Sequence, residues 1–125
     1  MHPNQISGEI IDAAMKVHTY LGPGLLESAY HASLRYELQK RSLQAQSQVG
    51  LPLTYEQARL DVGHRIDFLA ENQVVVEVKA IDAIAPIHKA QLLSYPRLSE
   101  RKLGLLINFN VLRLRKGIVR MVDKL

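Results

Sequence analysis

The stretch Arg65-Ile-Asp-Phe-Leu-Ala-Glu-Asn-Gln-Val-Val-Val-Glu-Val-Lys-Ala80 decides how the chain is read. Asn72-Gln73 is a turn between two runs rich in β-branched and apolar residues, 65–70 and 74–80, so the segment predicts an antiparallel hairpin. Side chains alternate across a strand, which puts Glu77 and Lys79 on one face and Val76, Val78 and Ala80 on the other. If Asp67 lies across the ladder on the Glu77 face, two carboxylates and one ammonium converge.

Two carboxylates a few ångströms apart resist joint ionisation unless a cation sits between them. Mg²⁺ takes oxygen from one or two carboxylates together with water, and Mn²⁺ suits the same donors. Lys79 would then orient a water or meet the charge that grows on a phosphate oxygen. The same residues also fit a surface strand of alternating charge with a Glu–Lys pair, because an Asp, a Glu and a Lys at this spacing occur in many hairpins.

Outward toward the N-terminus, Ile6, Ile10, Ala13, Ala14, Val17 and Leu21 recur at helical spacing, and Asn4 is the expected cap of that first helix. Gly22-Pro23-Gly24 forces a turn. A second helix is predicted from about Leu25 to Arg41, with Leu26, Ala29, Tyr30, Leu34 and Leu38 on one side, so the two helices form a hairpin. Glu27 falls in its first turn, where the helix dipole favours a negative charge. Tyr30 is read as a core residue or a partner of Glu27, and His31, at i+4 from Glu27, as a lone solvent-facing histidine before a second ligand. Val49–Tyr55 reads as a strand whose Pro52 points to an edge or an end. Glu56–Gly63 reads as a loop or a short turn into the next strand, and His64-Arg65 enters the hairpin. Arg65 suits a phosphate contact or a surface salt bridge equally.

Beyond the hairpin, Ile81–Ala85 is a connection and Pro86 suits the first position of a helix. That helix, predicted to end or kink at Pro96, sets His88, Gln91 and Tyr95 on one side and Ala90, Leu92 and Leu93 against the sheet. Lys102–Asn108 is apolar throughout its middle, as a strand covered on both faces is. Asn108-Phe109-Asn110 is a turn, Val111–Lys116 a basic connector, and Ile118–Val122 a last strand.

The 125 residues suffice for one domain spanning 1–125. The absence of cysteine excludes disulfides and thiolate chemistry. No apolar run approaches the roughly 20 residues needed to cross a bilayer, and Met1-His-Pro-Asn has no signal-peptide pattern, so a cytoplasmic location and no membrane partner are expected. Of the net charge of +4, residues 97–125 carry eight Lys/Arg against two acids and residues 1–96 eight against ten. Arg97, Arg101, Lys102, Arg113, Arg115 and Lys116 in that basic part are, with Arg65, the expected nucleic-acid contacts.

Three short motifs in order, Gly24-Leu-Leu-Glu-Ser-Ala-Tyr30, Asp67 with Glu77-Val-Lys79, and Gln91-Leu-Leu-Ser-Tyr95, resemble the GxxExxY family within the PD-(D/E)XK nuclease superfamily, over about Ile6 to Val122. The resemblance implies an α/β, restriction-endonuclease-like fold, a central mixed sheet flanked by helices. It implies Glu27 as an acidic residue brought by the leading helix, directly or through water, to a Mg²⁺ or Mn²⁺ held by Asp67, Glu77 and the Val78 carbonyl. Lys79 would activate the water, and Gln91 and Tyr95 would contact phosphate or position Lys79. The implied activity is phosphodiester hydrolysis in nucleic acid, DNA before RNA, with a homodimer as the assembly that cuts two strands. The alternative from another class is a nuclease fold that binds nucleic acid or a protein without cutting.

Overall fold

The computed structural model describes residues 1–60 and 65–123. The expectations for residues 61–63 of the loop, for His64 and for Lys124 lie outside the described residues. In chain order the elements are α1 (Pro3–Leu21), α2 (Glu27–Lys40), β1 (Ala45–Gly50), β2 (Leu53–Tyr55), β3 (Ala58–Leu60), β4 (Arg65–Ala70), β5 (Val74–Lys79), α3 (Pro86–Ser99), β6 (Leu103–Asn108), a 3₁₀ turn (Leu114–Gly117) and β7 (Ile118–Val122).

Five strands form one mixed sheet in the order β1-β4-β5-β6-β7, with only β5 and β6 parallel. The parallel pair requires the crossover that α3 supplies. The apolar stripe predicted for α1 is buried with Tyr30, Leu34 and Leu38 of α2 against Phe68, Ala70, Val74, Val76 and Val78. On the other sheet face Tyr95 of α3 packs with Leu51, Ile66, Leu69 and Val75. Both faces are thus covered, which is why β6 is buried at all six positions.

Several boundaries differ from the sequence reading. Helix α1 is capped by His2, whose Nδ1 accepts the Asn4 N–H at 3.0 Å while Gln5 Oε1 accepts the His2 N–H at 2.9 Å, so Asn4 is inside the helix. Pro3 then occupies the first turn, where its missing N–H has no helical partner to lose. Helix α2 spans Glu27–Lys40, shorter at both ends than expected. The run Val49–Tyr55 divides, because Leu51-Pro52 separates β1 from β2, and Ala58–Leu60 pairs with β2 as a small hairpin where a loop or a short turn was expected.

Helix α3 continues through Pro96 to Ser99. Proline removes one helical hydrogen bond, yet its buried ring lies against Gly104 of β6, where an added Cβ would come within 3.1 Å of both Pro96 Cγ and Leu92 Cδ1. Close packing of helix on strand offsets the lost bond. Ala90, expected on the sheet side, is exposed, whereas Leu92 is fully buried.

Candidate active site

The site forms where the β4–β5 ladder stops. Backbone pairing ends at Phe68↔Val76, and one further step in that register would set Asp67 against Glu77. There the side chains take over: the Asp67 N–H donates to Glu77 Oε1 at 3.1 Å, and the Val78 N–H donates to Asp67 Oδ2 at 2.7 Å. Each carboxylate thus spends one oxygen on the other strand's backbone. Asp67 Oδ1 and Glu77 Oε2 are not part of that exchange.

The opposite edge of β4 opens at the same residue. Strand β1 pairs at Ser47↔Phe68 and at Val49↔Ile66 but not between them, and Gln48, in the gap, has φ of 55°. Ile66 packs with Leu69, Val75 and Tyr95, whereas Phe68 and Ala70 face the α1–α2 core. Regular alternation would keep Ile66 with Phe68, so β4 turns over at Asp67. The carboxylate is presented at a break in two ladders at once.

Glu77 is 7% exposed. Burial first, then the Asp67 charge, push its carboxyl up to about 8, with a smaller rise from Glu27; the Asp67 backbone N–H and the Lys79 ammonium act the other way. A carboxylate raised this far by desolvation and like charge is one that a nearby cation would stabilise strongly. Lys79 closes β5, half-buried, and its carbonyl accepts the Phe109 N–H at 2.9 Å. Tyr95, 6% exposed, has its hydroxyl pushed up to about 12 by burial and then by the charges of Glu77 and Asp67.

Glu27 begins α2 and shares with Ser28, His31, Gln48 and Asp67 a cleft of about 250 Å³. The loop before it is fixed from two sides. The Tyr30 hydroxyl donates to the Gly22 carbonyl at 2.6 Å and accepts the Leu25 N–H at 3.1 Å, its ring stacked on Phe109 at 4.7 Å. The Gly24 N–H, at φ of 98°, donates to Asn110 Oδ1. Tyr30 is therefore a core residue, as expected, and its polar end holds the loop that leads to Glu27.

His31 is half-exposed on the cleft but is not the lone residue expected. Its ring stacks on Phe68 at 4.3 Å, and its Nε2 lies 3.4 Å from Gln48 Nε2. The Gln48 amide also reaches Asp67 Oδ1 at 3.5 Å, so it links the ring to the carboxylate. The i+4 spacing from Glu27 was a usable signal for His31. Gln48 carried none, because only the β1–β4 register sets it opposite Asp67.

The remaining candidates divide. Gln91 is exposed on α3, its carbonyl accepting the Ser94 hydroxyl at 2.7 Å, and among the described residues no hydrogen bond joins its side chain to Asp67, Glu77 or Lys79. Arg65 donates to the Gln48 carbonyl at 3.3 Å. The basic C-terminal part does not make one patch. Arg113, Arg115 and Lys116 border β7 at the end of the sheet where Lys79 and Asn108 pair. Arg101 and Lys102 precede Leu103 at the opposite end, six strand residues away, and the Arg101 guanidinium donates to Asn72 Oδ1 in the hairpin turn. Arg97 belongs to the last turn of α3, at that same far end.

A family model for the PD-(D/E)XK nuclease superfamily matches residues 4–121. The chain belongs to the PD-(D/E)XK nuclease superfamily. No curated protein and no solved structure matches the chain significantly. The five-stranded mixed sheet with helices on both faces is the α/β core of a nuclease-fold protein. No helix among the described residues is long and apolar enough to cross a membrane.

PD-(D/E)XK nucleases generally use divalent metals, and the residues present fit such an ion by donor chemistry. Asp67 and Glu77 are hard oxygen donors on adjacent strands, and desolvated Glu77 lacks a sufficient counter-charge. Among the described residues no three His, Cys, Asp or Glu side chains group closely enough to hold an ion alone. An ion that keeps part of its water shell suits this pair; among the described residues no closed four-ligand zinc cage forms.

Proposed function

We propose that the chain is a Mg²⁺- or Mn²⁺-dependent nuclease that hydrolyses phosphodiester bonds of nucleic acid, DNA before RNA. The observation carrying this reading is the exchange at the opened ladder, Asp67 N–H to Glu77 and Val78 N–H to Asp67, beside Lys79. Backbone N–H groups there fix two carboxylates whose mutual repulsion would otherwise drive them apart. The Gly24–Tyr30 motif supports placing the chain among the GxxExxY proteins.

In this reading Asp67, Glu77 and the Val78 carbonyl bind the ion, and Glu27 completes the acidic shell from across the cleft, directly or through water. The bound ion supplies positive charge to the phosphate and acidity to a water. Lys79 orients the attacking water and faces the negative charge that develops on the phosphate. Tyr95, its hydroxyl held protonated, donates toward Lys79's surroundings or the substrate, and Gln91 reaches substrate from the exposed side of α3. Cutting both strands of a duplex would use a second copy of the chain.

A second reading, a nuclease fold that binds nucleic acid or a protein without cutting, draws support from the lack of a three-ligand group among the described residues. Calorimetric titration of Mn²⁺ into the wild type and Asp67→Asn, both shown folded by circular dichroism, separates the two when followed by cleavage assays on DNA and RNA. Saturable binding lost in the variant, with metal-dependent cleavage, is expected. Nucleic-acid binding without cleavage at saturating metal would establish the second reading.

A further inference from the structure

We propose that Arg113, Arg115 and Lys116, with Lys89 of α3, form a backbone-phosphate docking ridge that engages nucleic acid about three to four base pairs from the scissile bond. This rests on the nuclease reading of the Asp67–Glu77 site and adds to it where the substrate runs.

The ridge is held from three sides. Leu114 is buried between exposed Arg113 and Arg115, and Gly117 follows so close to β6 that an added Cβ would lie 2.1 Å from the Asn108 carbonyl oxygen. His18 Nε2 anchors the approach through the Val111 carbonyl at 2.8 Å. Two hollows flank the ridge. One, of about 450 Å³, is bordered by Arg113, Arg115 and Lys116 with His18 and Thr19. The other, of about 460 Å³, is bordered by Lys116, Lys89, Asn108 and the 82–84 segment that follows the Lys79 strand.

Charge points the same way. Among the described residues none of the four cations is in an ion pair, and one exposed acid, Asp82, borders the second hollow. Lys89 also stands in the first turn of α3, whose N-terminal dipole end favours anions.

The sheet sets the distance. Lys79 pairs with Asn108, and Ile107 with Ile118 at the start of β7. At about 4.8 Å between strands, the start of β7, into which the Arg113–Lys116 turn leads, lies two strands or about 10 Å from β5 and three or about 14 Å from β4. With a rise of about 3.4 Å per base pair, that span is three to four steps of a duplex. Arg97, Arg101 and Lys102, at the far end of β5, lie off this line.

The test is fluorescence anisotropy, without metal so that nothing is cut, on a labelled DNA duplex of about 20 base pairs and a labelled RNA of similar length. Wild type is compared with Arg113→Ala/Arg115→Ala/Lys116→Ala and with Arg97→Ala/Arg101→Ala/Lys102→Ala, which lose equal charge; folding is checked by circular dichroism. Loss of phosphate contacts at the ridge predicts at least about tenfold weaker binding and a salt slope smaller by about two to three, each contact contributing about 0.9 on duplex DNA. The far-end variant should keep the wild-type slope. Equal losses in both variants, or none at the ridge, would overturn the proposal, as would a wild type that binds neither probe. Failure of the nuclease reading looks different: ridge-dependent binding with no cleavage when metal is restored.

Discussion

The two ends of the β4–β5 hairpin are built from nearly the same backbone and do opposite things. At the turn end Ala70 pairs with Val74 and Leu69 with Val75, all four nearly or fully buried and locked in register. At the other end, one residue past Val76, pairing has ceased, and the carboxylates of Asp67 and Glu77 occupy the backbone N–H groups that a ladder would have satisfied. A closed ladder supplies stability, and an opened one trades some of it for two acidic side chains held in place. Replacing residues at the open end should therefore abolish chemistry without destabilising the fold, and replacing residues in the closed ladder the reverse.

The largest effect expected is at the open end. Lys79→Ala should lower cleavage by about 10²- to 10⁴-fold, as removal of a general acid–base group or a charge-stabilising donor does, with the thermal midpoint nearly unchanged. Steady-state rates alongside thermal melts check this; a variant that unfolds, or one that cuts normally, would break the contrast. In the closed ladder that backs the hairpin, Leu105→Ala in β6 removes a fully buried side chain next to Val76 and should destabilise by about 2–5 kcal/mol. Denaturant titration gives that number, and the folded fraction should keep the wild-type rate.

The hairpin, its turn and the shared face of Glu77 and Lys79 were legible because alternation and turn chemistry are local. So were the α1–α2 pair and the buried β6. The opening of the ladder was not, since it depends on β1 lying beside β4 with Gln48 in a left-handed conformation, a consequence of long-range pairing. Pro96 does not end the helix, because the local rule is outweighed by packing on Gly104, remote in sequence. The basic C-terminal part was legible as charge but not as a surface, because β6 carries the chain from one end of the sheet to the other between Lys102 and Arg113. Gln91 and Tyr95, four apart on one helix, also separate: Tyr95 is buried and feels the site charges, while Gln91 is exposed.

Glu77 offers a sharper version of the comparison, through pH. Its folded-state value of about 8 stands above the ordinary 4.5, so between those values the metal-free folded protein holds a proton that the unfolded chain has released. The stability this contributes is fully present below about 4.5 and is lost as pH rises through about 8. Glu77→Gln keeps a neutral side chain at every pH and should escape that loss. The variant should gain on wild type progressively across this window, by on the order of a few kcal/mol at the alkaline end, while losing Mn²⁺ binding. Denaturation midpoints measured in chelator over a pH series would test it; parallel curves would show that Glu77 is not the group being desolvated.

The smallest effect belongs to Gln48, where backbone and side chain can be separated. Gln48→Ala removes the amide that reaches Asp67 and His31 but keeps a Cβ at φ of 55°; Gln48→Gly removes both. A left-handed residue costs a non-glycine about 1 kcal/mol, partly offset by the greater freedom glycine has when unfolded. The glycine variant should thus be more stable than the alanine variant by about 0.5–1 kcal/mol. Both should bind Mn²⁺ about two- to tenfold more weakly than wild type, the worth of one ordinary hydrogen bond. Equal weakening with unequal stability assigns Gln48's side chain to holding Asp67 and its strained backbone to opening the ladder. If the glycine variant instead binds metal as wild type does, the backbone break alone presents Asp67, and the amide does nothing for it.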